Sequence, residues 1–253
     1  MFNLLDHPVL ISAVSLPTFW MAAWMGGAFR ARRLGQKEDL HDDFALVIGS
    51  TLTLLGLIIG FTFSMAVNRY DQRKNCEEQE ANAIGTEYVR TDLLPETDAS
   101  TVRALLSGYL NQRILCYKAG SEQQLRQINA QTARLQAQLW SAVTKPAVAQ
   151  PTPVAALVLG GMNDVLNSQG YTQAAWWNRI PSAAWVLLIA ISIFCNLLTG
   201  YGAQGRSAFL LLILPIALSI SLFLIADIDS PRRGVIHVWP QNLENLAESL
   251  QTQ

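Results

Sequence analysis

Four stretches of this chain, residues 8–29, 44–67, 180–205 and 207–226, contain no Asp, Glu, Lys or Arg. An α-helix crossing the hydrocarbon core of a bilayer takes about 20 predominantly apolar residues, and each stretch is long enough. Backbone polar groups in lipid must be satisfied within their own segment, so the stretches are expected to be helices. Composition agrees: 15% of the 253 residues are charged, against about 25% in a typical soluble domain. The chain is read as an all-α, polytopic membrane protein. Four transmembrane helices stand in a 2+2 arrangement, with a helical soluble domain inserted between the pairs. A soluble globular protein, a disordered chain and a secreted disulfide scaffold are excluded.

The expected division is 1–67 for transmembrane helices 1 and 2, 68–179 for the helical soluble domain, 180–226 for transmembrane helices 3 and 4, and 227–253 for a tail. The first apolar run has no basic residues before it, while Arg30, Arg32 and Arg33 follow it, which marks an uncleaved anchor. Pro17 and the Gly26–Gly27 pair predict a bend or a close helix contact in this span, and Pro215 predicts a kink in the fourth. The turn from Tyr201 to Gly205 predicts an antiparallel hairpin of the last two spans.

Between the pairs, Ala81, Ile84 and Tyr88 form a narrow apolar stripe on a helix over 72–91. Pro95 ends it, and Asp98 or Ser100 is expected to cap a helix over about 100–119. Ser121 opens a third helix carrying Leu125, Ile128, Leu135 and Leu139. Pro146, Pro151 and Pro153 predict a loop over 144–153, followed by a helix from Val154 to Asn167. In the tail, Val235, Ile236, Val238 and Trp239 predict a short extended piece. Leu243, Leu246, Ala247 and Leu250 then place an amphipathic helix, read as covering the helical domain because its polar face has glutamates and no lysines.

Charge is balanced, with 18 Lys+Arg against 19 Asp+Glu, so no excess points to nucleic acid. His7, His41 and His237 lie in separate segments without ligand spacing. Cys76, Cys116 and Cys195 form no close pair, and a Cys76–Cys116 disulfide requires an oxidising compartment. No phosphate loop, nucleophile elbow, zinc helix or dinucleotide fingerprint is present. The expectation is therefore no catalytic residue, no metal site and no cofactor.

The second span is the most informative element. At 100° per residue, Gly49, Thr53, Gly56, Gly60 and Ser64 share an arc of about 80°. Small residues let helices approach closely in lipid, where association depends on packing, so Gly49, Gly56, Gly60 and Ser64 are read as a helix-packing face. Thr53, Leu57 and Phe61 run along its edge at intervals of four. Several copies of such a helix around an axis would form a constriction that gates by dewetting.

The run Gly60–Phe61–Thr62–Phe63–Ser64–Met65–Ala66–Val67–Asn68–Arg69–Tyr70–Asp71 resembles the end of the pore-lining helix of bestrophin ion channels. In those channels a Gly-Phe pair precedes an Arg and two tryptophans at this spacing; Tyr70 and Asp71 stand in the tryptophan positions here. Asp227–Ile228–Asp229–Ser230–Pro231–Arg232–Arg233–Gly234 resembles the stretch after the last bestrophin span. Together with Glu80–Ala81–Asn82–Ala83–Ile84–Gly85–Thr86 and Asp92–Leu93–Leu94–Pro95, the chain is similar to a bacterial bestrophin-like family of uncharacterised membrane proteins.

The resemblance implies a homo-oligomeric ion channel, pentameric if it follows bestrophins, whose partners are the lipid bilayer, copies of itself and small inorganic ions. Its pore-lining positions fall on Thr53, Leu57 and Phe61. Arg69 ends the second span and Asp227 and Asp229 end the fourth, which suggests an inter-helix ion pair. The competing reading is a non-conducting, membrane-anchored helical scaffold or receptor that binds a partner protein. Sidedness is contested. Arg30, Arg32, Arg33, Lys37 and Arg206 in the short loops favour an extracytoplasmic domain by the positive-inside rule. The resemblance implies a multi-pass protein of the cell inner membrane with domain and termini in the cytoplasm, and this placement is adopted.

Overall fold

The computed structural model describes residues 7–33, 41–203 and 209–252. Its helices are α1 (Pro8–Arg33), α2 (His41–Arg90), α3 (Glu96–Lys118), α4 (Glu122–Ala149), α5 (Pro153–Trp177), α6 (Ser182–Gly202), α7 (Leu210–Asp229) and α8 (Gln241–Gln251), with a 3-10 turn at Thr91–Leu93. Among the described residues there is no strand. Among the described residues four helices are long and apolar enough to cross a membrane: α1, α2 through its charge-free part, α6 and α7. The fold class expected above is thus the observed one. Lys37, Glu38, Asp39, Arg206 and the Gln204–Gly205 part of the expected turn lie outside the described residues, as do the side chains of Arg33, Asp42 and Asp43.

The chain divides into two compact units, Met1–Tyr70 with Arg179–His237, and Asp71–Asn178 with Val238–Gln253. The first has a core of Phe19, Leu55, Ala66, Trp185, Leu188, Leu218, Leu222 and Ile225. Packing rather than hydrophobicity must hold it together in lipid, and two glycines provide the closest approach. A Cβ on Gly26 of α1 would collide with the backbone oxygen of Leu197 and stand 2.8 Å from the Tyr201 nitrogen. A Cβ on Gly200 of α6 would collide with the backbone oxygen of Ala23. The close contact expected from Gly26–Gly27 therefore belongs to Gly26. Between α1 and α7 the hydroxyl of Ser15 donates to that of Ser219 at 3.1 Å.

The second unit is built around Ile84, Val102, Leu106, Tyr109, Leu110, Leu139, Met162, Val165 and Leu243, all buried. Helix α8 supplies the fully buried Leu243, and Leu246 packs over Gly85. The first turn of α8 has no side-chain cap of its own. Glu77 of α2 serves instead, accepting the Leu243 N–H at 2.9 Å and the Asn242 side-chain amide at 2.6 Å.

Several boundaries differ from the sequence reading. The helix expected over 72–91 is continuous with the second span as α2, because no proline or capping box interrupts residues 41–90. Residues 144–149 belong to α4, with Pro146 inside it; the helix keeps its register because Val143 and Ala147 continue its buried face. Only Gln150, Pro151 and Thr152 remain between α4 and α5. Helix α5 starts one residue early, with Pro153 in its first turn and the Thr152 hydroxyl accepting the Ala155 N–H at 3.1 Å. It runs on to Trp177 because the small residues Ser168, Thr172 and Ala175 extend its buried face. Helix α3 begins at Glu96 behind Pro95, so Asp98 sits in the first turn rather than at the cap. Val235–Trp239 form no regular element. Cys76, Cys116 and Cys195 are thiols.

Candidate functional site

Residues 44–67 of α2 carry two very different faces. Leu55, Thr62 and Ala66 are buried in the core of their unit, and Cys195 of α6 approaches the Thr51 carbonyl at 3.7 Å. At 100° per residue these three side chains cluster within about 40°. The remainder is open: only 6% of the most apolar window of α2 is buried, against 33% in α1 and α6 and 44% in α7.

All of the residues singled out in this span lie on the open face. Thr53, Leu57 and Phe61 are exposed, Phe61 by 64%. Gly49, Gly56, Gly60 and Ser64 are exposed as well, and a Cβ added at any of the three glycines would meet nothing within 4 Å. The small-residue stripe is thus unpartnered among the described residues. The Thr53 hydroxyl donates to the Gly49 carbonyl at 2.9 Å, as Ser50 does to Leu46 at 2.8 Å and Thr51 to Val47 at 2.7 Å. Satisfying each hydroxyl proton on the helix itself lets these residues sit against apolar surroundings without an orphaned donor.

At the end of α7, Asp227 and Asp229 are buried. Asp227 accepts the N–H groups of Val235 and Ile236 at 2.7 and 2.8 Å. It closes a turn that needs Gly234, since a Cβ there would stand 3.1 Å from the Asp227 side-chain oxygen and collide with its backbone carbonyl. Asp229 accepts the Ile180 N–H at 3.1 Å and faces the Arg179 guanidinium at 3.4 Å. The two carboxylates therefore tie the end of α7 to the tail and to the entry of α6. Arg69 is half-buried in the same unit.

Sequence reasoning missed the polar core of the other unit. Arg73, Glu77, Glu80, Ile84 and Glu87 of α2 and Thr91 of the 3-10 turn after it follow one another at three- and four-residue intervals, and all are buried. Glu80 is paired with Arg113 of α3 and accepts the Thr172 hydroxyl of α5 at 3.1 Å. The helical spacing of these charges was visible in the chain, but charge on a helix ordinarily marks the solvated face. Among the described residues no cluster of His, Cys, Asp and Glu is arranged to hold a metal ion.

A family model described as Bestrophin-like domain matches residues 10–243. No curated protein matches the chain. Among solved structures, a point variant of a bacterial bestrophin homolog from Klebsiella pneumoniae superposes with a TM-score of 0.69 at 12% identity, covering 95% of this chain and 98% of that one. A second variant of a Klebsiella pneumoniae bestrophin homolog gives 0.66 at 13% identity, covering 97% and 99%. A third gives 0.67 at 14% identity, covering 95% and 99%. At these identities the likeness is one of fold, while the family match spans nearly the whole chain. This four-span, all-helical protein belongs to the bestrophin-like family.

Proposed function

We propose that the protein is a homo-oligomeric ion channel of the inner membrane in which residues 44–67 of α2 line a central pore. The observation that carries this reading is the exposure of that face. A span with 6% of its apolar window buried has the least intrachain packing of the four, and its unpartnered stripe of Gly49, Gly56, Gly60 and Ser64 suits close approach of a neighbouring helix. Four helices of one chain are too few to enclose a pore of this architecture, so copies are required. The family argues for five. Rings of Leu57 and Phe61 then form an apolar constriction that gates by dewetting, with the Thr53 ring as its more polar neighbour.

Arg69 completes the reading as the partner of the Asp227–Asp229 end of α7. Each carboxylate has more acceptor sites than the N–H groups that occupy it, so a guanidinium can be added. Small inorganic ions are the cargo, lipid and further copies are the partners, and no cofactor or catalytic step is involved. Residues 68–179 form the soluble domain, placed with both termini in the cytoplasm.

The test is oligomeric state by native mass spectrometry in mild detergent, followed by current recordings in planar bilayers. A pentamer with current, and an altered conductance for Phe61→Ala, supports the proposal. A monomer without current removes it, and an oligomer whose flux is indifferent to Phe61 and Leu57 favours the membrane-anchored scaffold.

A further inference from the structure

Residues 71–178 and 238–253 contain no histidine, because His7, His41 and His237 all lie elsewhere in the chain. The side chain that ordinarily titrates between pH 5 and 8 is therefore missing from this unit. Glu87 of α2 occupies an unusual position within it. Its side chain is 0% exposed, and among the described residues neither carboxyl oxygen has a hydrogen-bond partner. Gly161 of α5 lies against it; a Cβ there would collide with the Glu87 carboxyl group and the Arg90 guanidinium. The absent side chain is what makes room for the acid.

Among the described residues Arg90 and Asp164 are the charged groups that act on Glu87. Arg90, one turn along the same helix and 29% exposed, places Nη1 at 3.8 Å from Oε2, beyond hydrogen-bond reach. Asp164 bears on it from α5. Arg103 of α3 is directed instead to the Thr91 hydroxyl at 2.9 Å and to Asp92. A carboxylate here would be a buried charge with no hydrogen bond and a second acid beside it. A group so placed is driven to its neutral form. Burial pushes Glu87 up, Arg90 pulls it part of the way back and Asp164 adds to the rise, which leaves it at about 8.

We propose that Glu87 is a proton-controlled latch of this unit: its neutral carboxyl group lets α2 pack flush against Gly161 of α5, and loss of the proton opens that contact to water. The latch is independent of whether the assembly conducts. Its sign follows from linkage. The closed form holds a proton that the opened, hydrated form releases at the ordinary glutamate value of 4.5. Opening is therefore least favourable below that value, rises about tenfold per pH unit toward 8, and levels off above it.

The test uses the full-length protein in lipid nanodiscs. Hydrogen exchange over residues 81–93 and 155–168, corrected for the intrinsic rate, should show an opening constant about tenfold larger at pH 7 than at pH 6. Glu87→Gln should be flat over that interval, and Asp164→Asn should bring the levelling-off of the rise to lower pH. Infrared spectra give an independent signature. The parent at pH 6 should show a neutral carboxylic acid C=O band that Glu87→Gln lacks, bleaching as pH rises through about 8. Identical carboxylic acid bands in parent and Glu87→Gln would overturn the proposal, as would pH-independent exchange in the parent. If Glu87→Gln does not fold, the parent titration and the Asp164→Asn displacement decide alone, and an unmoved midpoint counts against the latch.

Discussion

Replacing Gly26 by alanine adds one methyl group at a close backbone contact between α1 and α6, and its cost follows from the geometry. The new Cβ would collide with the Leu197 carbonyl oxygen and lie 2.8 Å from the Tyr201 nitrogen and 3.0 Å from the Leu197 carbonyl carbon. These are backbone atoms of a helix, so no rotamer change can clear them. Bringing the Leu197 oxygen out to an ordinary contact of about 3.2 Å requires the helices to separate by roughly 1 Å, a gap that forfeits about half of each van der Waals well along the seam. Over-packing of this kind costs about 1–3 kcal/mol, and the immovable obstacle places Gly26→Ala near the upper end. The neighbouring Gly27 is the internal control, since a Cβ there meets its nearest atom, the Gly200 carbonyl oxygen, at an ordinary 3.7 Å. Gly27→Ala should be neutral or slightly stabilising through helix propensity. Thermal unfolding of the two variants in the same mild detergent reads the difference. Equal midpoints for Gly26→Ala and Gly27→Ala would refute the argument that this seam sets the stability of the spanning unit.

Two further substitutions probe the polar core of the other unit. Arg113→Met leaves Glu80 buried without its guanidinium, which should cost about 3–5 kcal/mol; the double variant Glu80→Leu/Arg113→Met should recover much of that loss in the same unfolding assay. Glu77→Ala removes the acceptor that caps α8 from outside, at about 1 kcal/mol for a lost cap. Limited proteolysis should then release residues 241–251 several-fold faster while the remaining core stays protected.

The four spans were legible in the chain because a charge-free run of bilayer length leaves few alternatives in water or lipid. The α8 stripe was legible for the same kind of reason, since Leu243 and Leu246 recur at helical intervals. Boundaries set by single local signals were not. Pro146 argues for a loop on backbone chemistry alone, but the buried Val143 and Ala147 reward continuing the helix through it. Ser168 and Thr172 look like surface residues until α5 is seen to bury them.

Identity along α2 determined that one part of the helix is apolar and the other charged. The direction each face takes is a property of the assembled chain. The Gly49–Ser64 stripe read as a packing surface, and among the described residues nothing lies within 4 Å of a Cβ at Gly49, Gly56 or Gly60, whereas Gly26 and Gly200 carry a close contact between α1 and α6. Charge alone would put the acids Glu77, Glu80 and Glu87 at solvent, but each is buried with a different environment: a helix terminus, a guanidinium, and for Glu87 no hydrogen bond among the described residues. Sequence spacing places residues on a common side of a helix, but solvation depends on what other parts of the chain pack against that side. That is decided by contacts between residues far apart in sequence, here by Gly161, Arg113 and Leu243, and only the tertiary structure brings them together.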